Sequence, residues 1–331
     1  MPNRDKISLI LAGGQIIHKR TDPETEPAPL DKDELASYFP DEIKDKVFIA
    51  DWSYQPISHY TLRMCSDLIQ MAGTQIESGS TGVVVTCGTQ ALTEMAYFAD
   101  LIWSYPQPLV FTASINYAGT PGSETALHLS QSVWAVESQA CWGQGALICL
   151  QDQIYAASEA FQMSNYNRSG YCAPLCGPIA EFSEPYGELT LLRSPRRGKI
   201  LDIGTPPARH IEILDVSLGG GDVLLNALLE GGIEDLDGLV ISSFGGGDIP
   251  PSWVPLLRKI MRSDTPVVLA SRCPVGRIQS GNDFEGSAKR LMEMGLMSAG
   301  ALTPLQARIR LAVALGAELA GPDLRAYMLD E

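Results

Sequence analysis

Residues 83–94 read Val-Val-Val-Thr-Cys-Gly-Thr-Gln-Ala-Leu-Thr-Glu, an apolar run that leads through a turn into a helical segment. Successive β-branched residues before a turn predict a strand buried on both faces, as in a parallel sheet. Gly88 permits a sharp turn and a close approach of other atoms to the backbone. Thr89 follows where the strand ends, the edge at which open α/β sheets bind ligands. Its hydroxyl is interpreted as a nucleophile or ligand anchor, or as the cap of the next helix.

The alternation of strand, turn and helix extends from this stretch in both directions. In the first part of the chain the sequence predicts strands at 7–12, 47–50, 108–112 and 145–150, and helices at 58–76, 92–102 and 125–137. The alternation restarts with strands at 211–216, 239–242 and 266–270, and helices at 222–230, 252–263, 284–294 and 304–315. This pattern predicts an α/β fold with two domains, each built on a doubly wound, mostly parallel sheet.

The domain boundaries are predicted from a change in composition near residue 193. Residues 1–192 are assigned to an N-terminal α/β domain, 193–209 to a linker and 210–331 to a smaller C-terminal α/β domain. The linker contains Arg193, Arg196, Arg197 and Lys199 as well as a Thr-Pro-Pro run. Its basic residues are interpreted as a solvated surface in an otherwise acidic chain.

Composition excludes several classes of partner. The chain has 331 residues, of which 45% are hydrophobic, and a formal net charge of −15. Nucleic acid or an anionic membrane is not expected as a partner, because phosphate binding requires clustered Lys and Arg. No apolar run is long enough to span a bilayer, and the charged start does not resemble a signal peptide, so a cytoplasmic location is predicted. The seven Cys have no metal-type spacing, which fits a reducing compartment and no metal site.

Several stretches follow one another in a telling order: the opening strand and turn at 10–16, the turn at 85–90 with the helical segment 94–98 behind it, and two C-terminal stretches at 271–276 and 300–308. Together they resemble the bacterial-type L-asparaginase family. The resemblance implies a larger and a smaller α/β domain in a homodimer or homotetramer. It also implies hydrolysis of a small-molecule amide through an acyl-enzyme on a Thr, with no metal or organic cofactor.

The chain departs from the family pattern at the positions that carry the chemistry. The family's Thr-Gly-Gly-Thr signature is replaced by Ala12-Gly-Gly-Gln15, so the usual nucleophile is a carboxamide. The family's Thr-Asp pair, whose Asp holds a substrate ammonium group, is Thr89-Gln90. Gln162 aligns with the family's Lys, and the Tyr of the family's flexible loop has no counterpart between Gln15 and Leu35.

The resemblance assigns roles to residues of this sequence. The catalytic positions are Thr89, Gln15 and Gln162, and the substrate-binding positions are Gly14, Ser53, Gly88, Gln90, Ser114 and Asp248. Without a charged neighbour the Thr89 hydroxyl lacks its family base, and without an Asp a buried ammonium group lacks its ion partner. We therefore expect free asparagine to be a poor substrate and a neutral amide, lactam or carbonyl compound to suit the carboxamide-rich pocket.

Three functional hypotheses remain open from the sequence. The first is an amidohydrolase relative with a diverged site, the second is a non-catalytic ligand-binding protein, and the third is a redirected acyl-transfer or ring-forming enzyme. A replacement base has only positional candidates, and each has a simpler structural interpretation. His18 and Lys19 are interpreted as solvated loop, Asp51 as a cap or hydrogen-bond acceptor, and His59 and Glu94 as helix surface. Cys87 is interpreted as buried packing rather than a nucleophile, because no cation flanks it in sequence.

Overall fold

The computed structural model describes residues 6–22, 24–183 and 188–329. The chain divides into two compact units, Met1–Gly204 and Thr205–Glu331. Among the residues described, no helix combines the length and the apolar character needed to cross a membrane.

The first unit is a sheet with helices on its faces. Its strands are β1 (Ile7–Ala12), β2 (His18–Lys19), β3 (Ala28–Pro29), β4 (Val47–Ser53), β5 (Gly82–Thr86), β6 (Leu109–Thr112), β7 (Ala146–Leu150), β8 (Gln153–Ala156), β9 (Phe161–Gln162), β10 (Tyr171–Cys172), β11 (Ala180–Phe182) and β12 (Leu189–Leu191). Its helices are α1 (Lys32–Ala36), α2 (Asp41–Lys44), α3 (Leu62–Glu77), α4 (Leu92–Ile102) and α5 (Thr125–Glu137).

The order of the strands creates a crevice beside β1. Within the described residues the main sheet runs β12-β11-β8-β7-β6-β5-β1-β4, with β4, β1, β5, β6 and β7 parallel and the β8–β11–β12 edge antiparallel. From β1 the chain passes to β4 on one side and then crosses to β5 on the other. The carboxyl ends of β1 and β5 therefore flank the point where the strand order reverses, which is where doubly wound sheets bind ligands. The predicted fold class is confirmed.

The two central strands are long apolar runs because both of their faces are covered. Every residue of β1 and of β5 is buried. Val84 packs in the same core cluster as Leu9 and Leu11. Burial of a Val or Leu side chain contributes about 1.5–3 kcal/mol, so this pair of strands is a rigid base for the turns that follow it.

The second unit repeats the design on a smaller scale. Within its described residues, β13 (Ile211–Asp215), β14 (Gly238–Ser243), β15 (Val267–Ser271) and β16 (Met297–Ser298) form a parallel sheet in chain order. Its helices are α6 (Asp222–Gly231), α7 (Val254–Met261), α8 (Ala288–Met294), α9 (Pro304–Gly316) and α10 (Gly321–Leu329). The sequence did not predict α10, because a short helix that buries only Leu324, Tyr327 and Met328 has a weak apolar pattern.

The interpretation of the basic stretch after residue 192 as a solvated linker is wrong for two of its arginines. Arg193 forms an ion pair with Glu159 and donates to the carbonyl of Gly177. Arg197 binds the buried carboxylate of Asp100 at 3.1 Å and donates to the Trp103 carbonyl. Burial raises the pKa of Asp100, and Arg197 opposes that shift. A guanidinium with several fixed partners satisfies groups that would be costly to bury alone.

The turn after β1 depends on a close contact that only glycine allows. Gly13 and Gly14 have φ of +89° and +92°. A Cβ on Gly14 would lie 2.1 Å from the carbonyl oxygen of Cys87 and 3.0 Å from the nitrogen of Gly88. The turns after β1 and β5 therefore touch through their backbones.

We predict that Gly14→Ala destabilises the first unit by about 2–5 kcal/mol, because left-handed strain and a steric collision add. Gly79→Ala is the matched control, since Gly79 has φ of +100° and, apart from its chain neighbours, no described residue has an atom within 4 Å of the added Cβ. It should cost only the strain, about 1–2 kcal/mol. Urea unfolding of the full chain measures both, and equal losses would show that the contact with Cys87 and Gly88 is unimportant.

Candidate functional site

A cavity of about 340 Å³ lies at the crevice beside β1. Its walls come from the segments that follow the carboxyl ends of β1, β4, β5 and β6, together with Pro27. The lining residues are Gly14, Gln15, His18, Pro27, Tyr54, Gln55, Pro56, Ile57, Gly88, Thr89, Gln90 and Tyr117. This volume is at the lower end of the range of small-molecule sites, about 300–1,000 Å³.

Five of the residues assigned from the sequence meet in this cavity. They are Gly14, Gln15, Gly88, Thr89 and Gln90. The side chain of Ile57 packs against Gly88 and closes the turn from the side, since a Cβ on Gly88 would lie 2.9 Å from the Ile57 Cβ.

The remaining assigned residues are engaged elsewhere. The Ser53 hydroxyl accepts a hydrogen bond from the backbone of Gln55, and the buried Ser114 hydroxyl lies 2.8 Å from a carboxylate oxygen of Glu124. Gln162 is on β9, donates to the carbonyl of Ser164 and does not line the cavity. Asp248 belongs to the second unit, where its carboxylate accepts from the backbone of Ala288.

Thr89 does not serve as a helix cap. It is the first residue of a 3₁₀ turn whose N-cap is Gly88, and α4 has Ala91 as its N-cap, with no side-chain capping bond at either position. Among the described residues the Thr89 hydroxyl has no hydrogen-bond partner, while its carbonyl accepts a 2.6 Å bond from the hydroxyl of Tyr171. The backbone at Thr89 is thus held in place by Tyr171.

The cavity carries little charge. Among its described lining residues there is no Asp, Glu, Lys or Arg. The nearby charges are paired: Lys19 with Glu34, and Asp51 with Lys32 at 3.0 Å.

Tyr54 connects the Asp51 pair to the cavity wall. Its hydroxyl donates to Asp51 at 2.8 Å. Burial and the Asp51 carboxylate raise the pKa of Tyr54 to about 12. Hydrogen bonds from Tyr54 and Lys32 lower the pKa of Asp51.

His18 is in the cavity wall, so its interpretation as solvated loop is wrong. It begins β2, which pairs with β3 in a short hairpin. Its Nδ1 lies 2.8 Å from the carbonyl oxygen of Gly14, and its ring meets the Tyr54 ring edge-on at 6.1 Å. The sequence feature that could have indicated this place is the position of His18 four residues after Gly14, in the turn that follows the first strand.

Sequence reasoning also missed Tyr54 and Tyr117. Tyr54 directly follows β4, and Tyr117 lies in the loop that begins at the end of β6. Both places are at the carboxyl edge of a parallel sheet, and that position was the available signal.

A second cavity of about 380 Å³ adjoins the first. Gln15 and Tyr117 line both, so they form the shared wall. The loop that carries Tyr117 is held by Glu124, which accepts hydrogen bonds from Ser114 and Asn116 and pairs with Arg168 at 2.8 Å. Burial opposes ionisation of Glu124, but these partners together lower its pKa. The shared wall is therefore preformed.

The thiols near the site are buried and inert. Cys87 is 0% exposed, and burial raises the pKa of its thiol, as it raises that of Cys65 to about 12. A thiol held neutral in this way is a poor nucleophile, which agrees with the packing interpretation. Among the described residues no group of three or more His, Cys, Asp or Glu side chains could hold a metal ion.

The fold and the cavity define an α/β protein with a cavity of small-molecule size at the switch point of its larger sheet. Models of the asparaginase N-terminal domain and of the glutaminase/asparaginase C-terminal domain match residues 6–196 and 210–328. The chain therefore belongs to the asparaginase family, whose members are amide hydrolases.

Individual relatives span most of the chain. The L-asparaginase of Bacillus licheniformis is 25% identical over 317 residues, 94% of this chain and 95% of that protein. A probable L-asparaginase of Deinococcus radiodurans is 29% identical over 263 residues, 76% of each chain. The crystal structure of a probable cytoplasmic L-asparaginase from Campylobacter jejuni has the same fold, with a TM-score of 0.84, coverage of 98% of this chain and 99% of that chain, and 22% identity.

We predict that Tyr171→Phe lowers the free energy of unfolding by about 1 kcal/mol, because the Thr89 carbonyl loses a hydrogen bond. Ligand affinity should fall as well, since the turn that carries Thr89 is less firmly held. Tyr105→Phe removes a comparable bond, to Glu77 at 2.6 Å, away from the cavity and should not affect binding. Urea unfolding and calorimetric titration with an amide ligand measure the two effects. Equal binding by both variants would contradict a role for Tyr171.

Proposed function

We propose that this protein hydrolyses the C–N bond of a small neutral amide other than free asparagine, with Thr89 as the nucleophile. The observation that carries the proposal is that Thr89, whose hydroxyl has no hydrogen-bond partner among the described residues, lines a cavity whose described lining contains no Asp, Glu, Lys or Arg. A substrate with a free ammonium and carboxylate would lose its hydration there without gaining ion partners, which is costly.

The carboxamides favour an uncharged, carbonyl-bearing ligand. Gln15, Gln55 and Gln90 line the cavity, and each offers one acceptor and two donor hydrogens. The backbone N–H groups of Gly14 and Gly88 are the proposed donors to the oxyanion that forms when Thr89 attacks a carbonyl. The chemistry that the residues support is attack by Thr89, release of the amine and hydrolysis of the resulting ester.

The second cavity favours a substrate larger than asparagine. Because the two cavities adjoin at Gln15 and Tyr117, an acyl chain seated beside Thr89 would extend toward the second cavity, whose lining also includes Arg20 and Asp22. This geometry supports an amide with an extended acyl or amine part.

The proposal predicts the order of reactivity within a matched series of amides. Propionamide has the amide of asparagine without its ammonium and carboxylate groups, and succinamic acid keeps only the carboxylate. We expect kcat/KM for ammonia release to rise from L-asparagine to propionamide, and Thr89→Ala to abolish the release. A preference for L-asparagine, or activity that survives Thr89→Ala, would contradict the proposal.

Restoring charge should restore asparagine recognition. We predict that Gln15→Thr/Gln90→Asp improves KM for L-asparagine at least about tenfold, since a hydrogen bond to a charged group contributes about 1.5–3 kcal/mol. The double variant leaves out Gln162, which does not line the cavity. Gln139→Asp adds a carboxylate at an exposed position of another 3₁₀ turn and is the control that should leave KM unchanged.

The assay with propionamide also distinguishes an enzyme from a non-catalytic ligand-binding protein, when it is combined with thermal unfolding. A wild type whose melting temperature rises with propionamide, but which releases no ammonia, is a non-catalytic binder. The homodimer or homotetramer and the cytoplasmic location stay predictions, and sedimentation and cell fractionation would measure them.

A further inference from the structure

We propose that His18 is the general base that activates Thr89, in a role that rests on the proposed function of the site. The chain lacks the charged neighbours that the family resemblance would place beside Thr89, so a working nucleophile needs another proton acceptor. His18 is the one imidazole among the described residues that line the cavity with Thr89. Imidazole is also the side chain whose ordinary pKa, about 6.5, is nearest to neutrality.

The position of His18 is fixed through the same contact that positions Thr89. Its Nδ1 is 2.8 Å from the carbonyl oxygen of Gly14. Gly14 in turn lies directly against the peptide between Cys87 and Gly88, which immediately precedes Thr89. His18 and Thr89 are therefore both attached to the backbone contact between Gly14 and the Cys87–Gly88 peptide.

The hydrogen bond to Gly14 also fixes the tautomer of the ring. A carbonyl oxygen only accepts, so Nδ1 must carry the hydrogen. In a neutral imidazole the other nitrogen, Nε2, then holds the lone pair and is the basic atom. Packing of the ring edge-on against Tyr54 limits its rotation further.

The proposed step balances in atoms and charge. The Thr89 Oγ attacks the carbonyl carbon while its proton passes to Nε2 of His18. The tetrahedral adduct then expels the amine, which takes the proton back from Nε2 as the C–N bond breaks. In the second half Nε2 removes a proton from water, the hydroxide attacks the ester, and Thr89 recovers its proton. The products are a carboxylic acid and an amine, and His18 is unchanged.

Several charged and titratable groups surround His18. Hydrogen bonding to Glu34 raises the pKa of Lys19, and the same bond lowers that of Glu34. The pKa of Asp51 is lowered and that of Tyr54 is raised to about 12. The charged and titratable groups on the described segments that surround the two cavities are Lys19, Arg20, Asp22, Asp31, Lys32, Glu34, Asp51, Tyr54 and Tyr117.

The test measures p-nitrophenolate release from p-nitrophenyl acetate, with the rate of Thr89→Ala subtracted as background. Because only the neutral ring accepts a proton, the wild-type rate should fall on acidification. His18→Gln keeps a donor for the Gly14 carbonyl but has no base. We expect it to lose at least about a hundredfold in rate, and to lose the acidic limb of the profile.

Two further measurements separate a base from a merely structural residue. Added imidazole should restore part of the rate of His18→Ala, and ¹⁵N spectra of the histidine rings should place the proton of neutral His18 on Nδ1. His59→Gln is the control, since His59 is exposed and does not line the cavity, and it should match the wild type.

Each outcome decides between the two proposals. A wild type that acylates at Thr89, with His18→Gln equal to it in rate and pH profile, overturns the role of His18 and leaves the proposed function standing. A proton on Nε2 overturns the role as well. A wild type no faster than Thr89→Ala overturns both.

Discussion

The site depends on the backbone contact between Gly14 and the Cys87–Gly88 peptide. Two adjacent parallel strands end at the same level, and the turns that follow them would diverge if either carried a side chain at this point. Because Gly14 has none, its Cα lies against the neighbouring carbonyl, and the two turns form one surface. Gln15 and His18 extend from one turn and Thr89 and Gln90 from the other, so a single glycine determines how the cavity is assembled.

The strand order places this contact where it can serve a ligand. β1 lies between β4 and β5, and the chain reverses its direction of travel across the sheet there. The connections leave on opposite sides, which opens a crevice at the carboxyl ends. Tyr54 after β4 and Tyr117 after β6 complete the walls. Two backbone hydrogen bonds join β2 to the Tyr117 loop: Ala118 donates to the His18 carbonyl, and Arg20 donates to the Ala118 carbonyl.

Short sequence patterns predicted the strands and turns that depend on neighbouring residues. The apolar runs of β1 and β5 indicated buried strands, because a strand covered on both faces contains almost only apolar residues. The position of Thr89 indicated a cap or a site, and the structure excluded the cap, because a cap requires a hydrogen bond that is absent at both helix starts. His18 was misplaced because its position depends on a hairpin and on a bond to the Tyr117 loop. The partners of Arg193 and Arg197 lie 34 and 97 residues away, at distances that leave no periodic signal in the sequence.

The burial of Cys87 gives the protein an internal reporter. The thiol lies in the residue whose carbonyl touches Gly14, and it is inaccessible while the two turns stay in contact. An alkylating reagent therefore reacts with it only during an opening of this edge of the sheet, so its labelling rate measures the free energy of that local opening. A molecule that bridges the two turns must slow the labelling. The kinetics of one cysteine thus give a way to search for the natural ligand that does not depend on turnover.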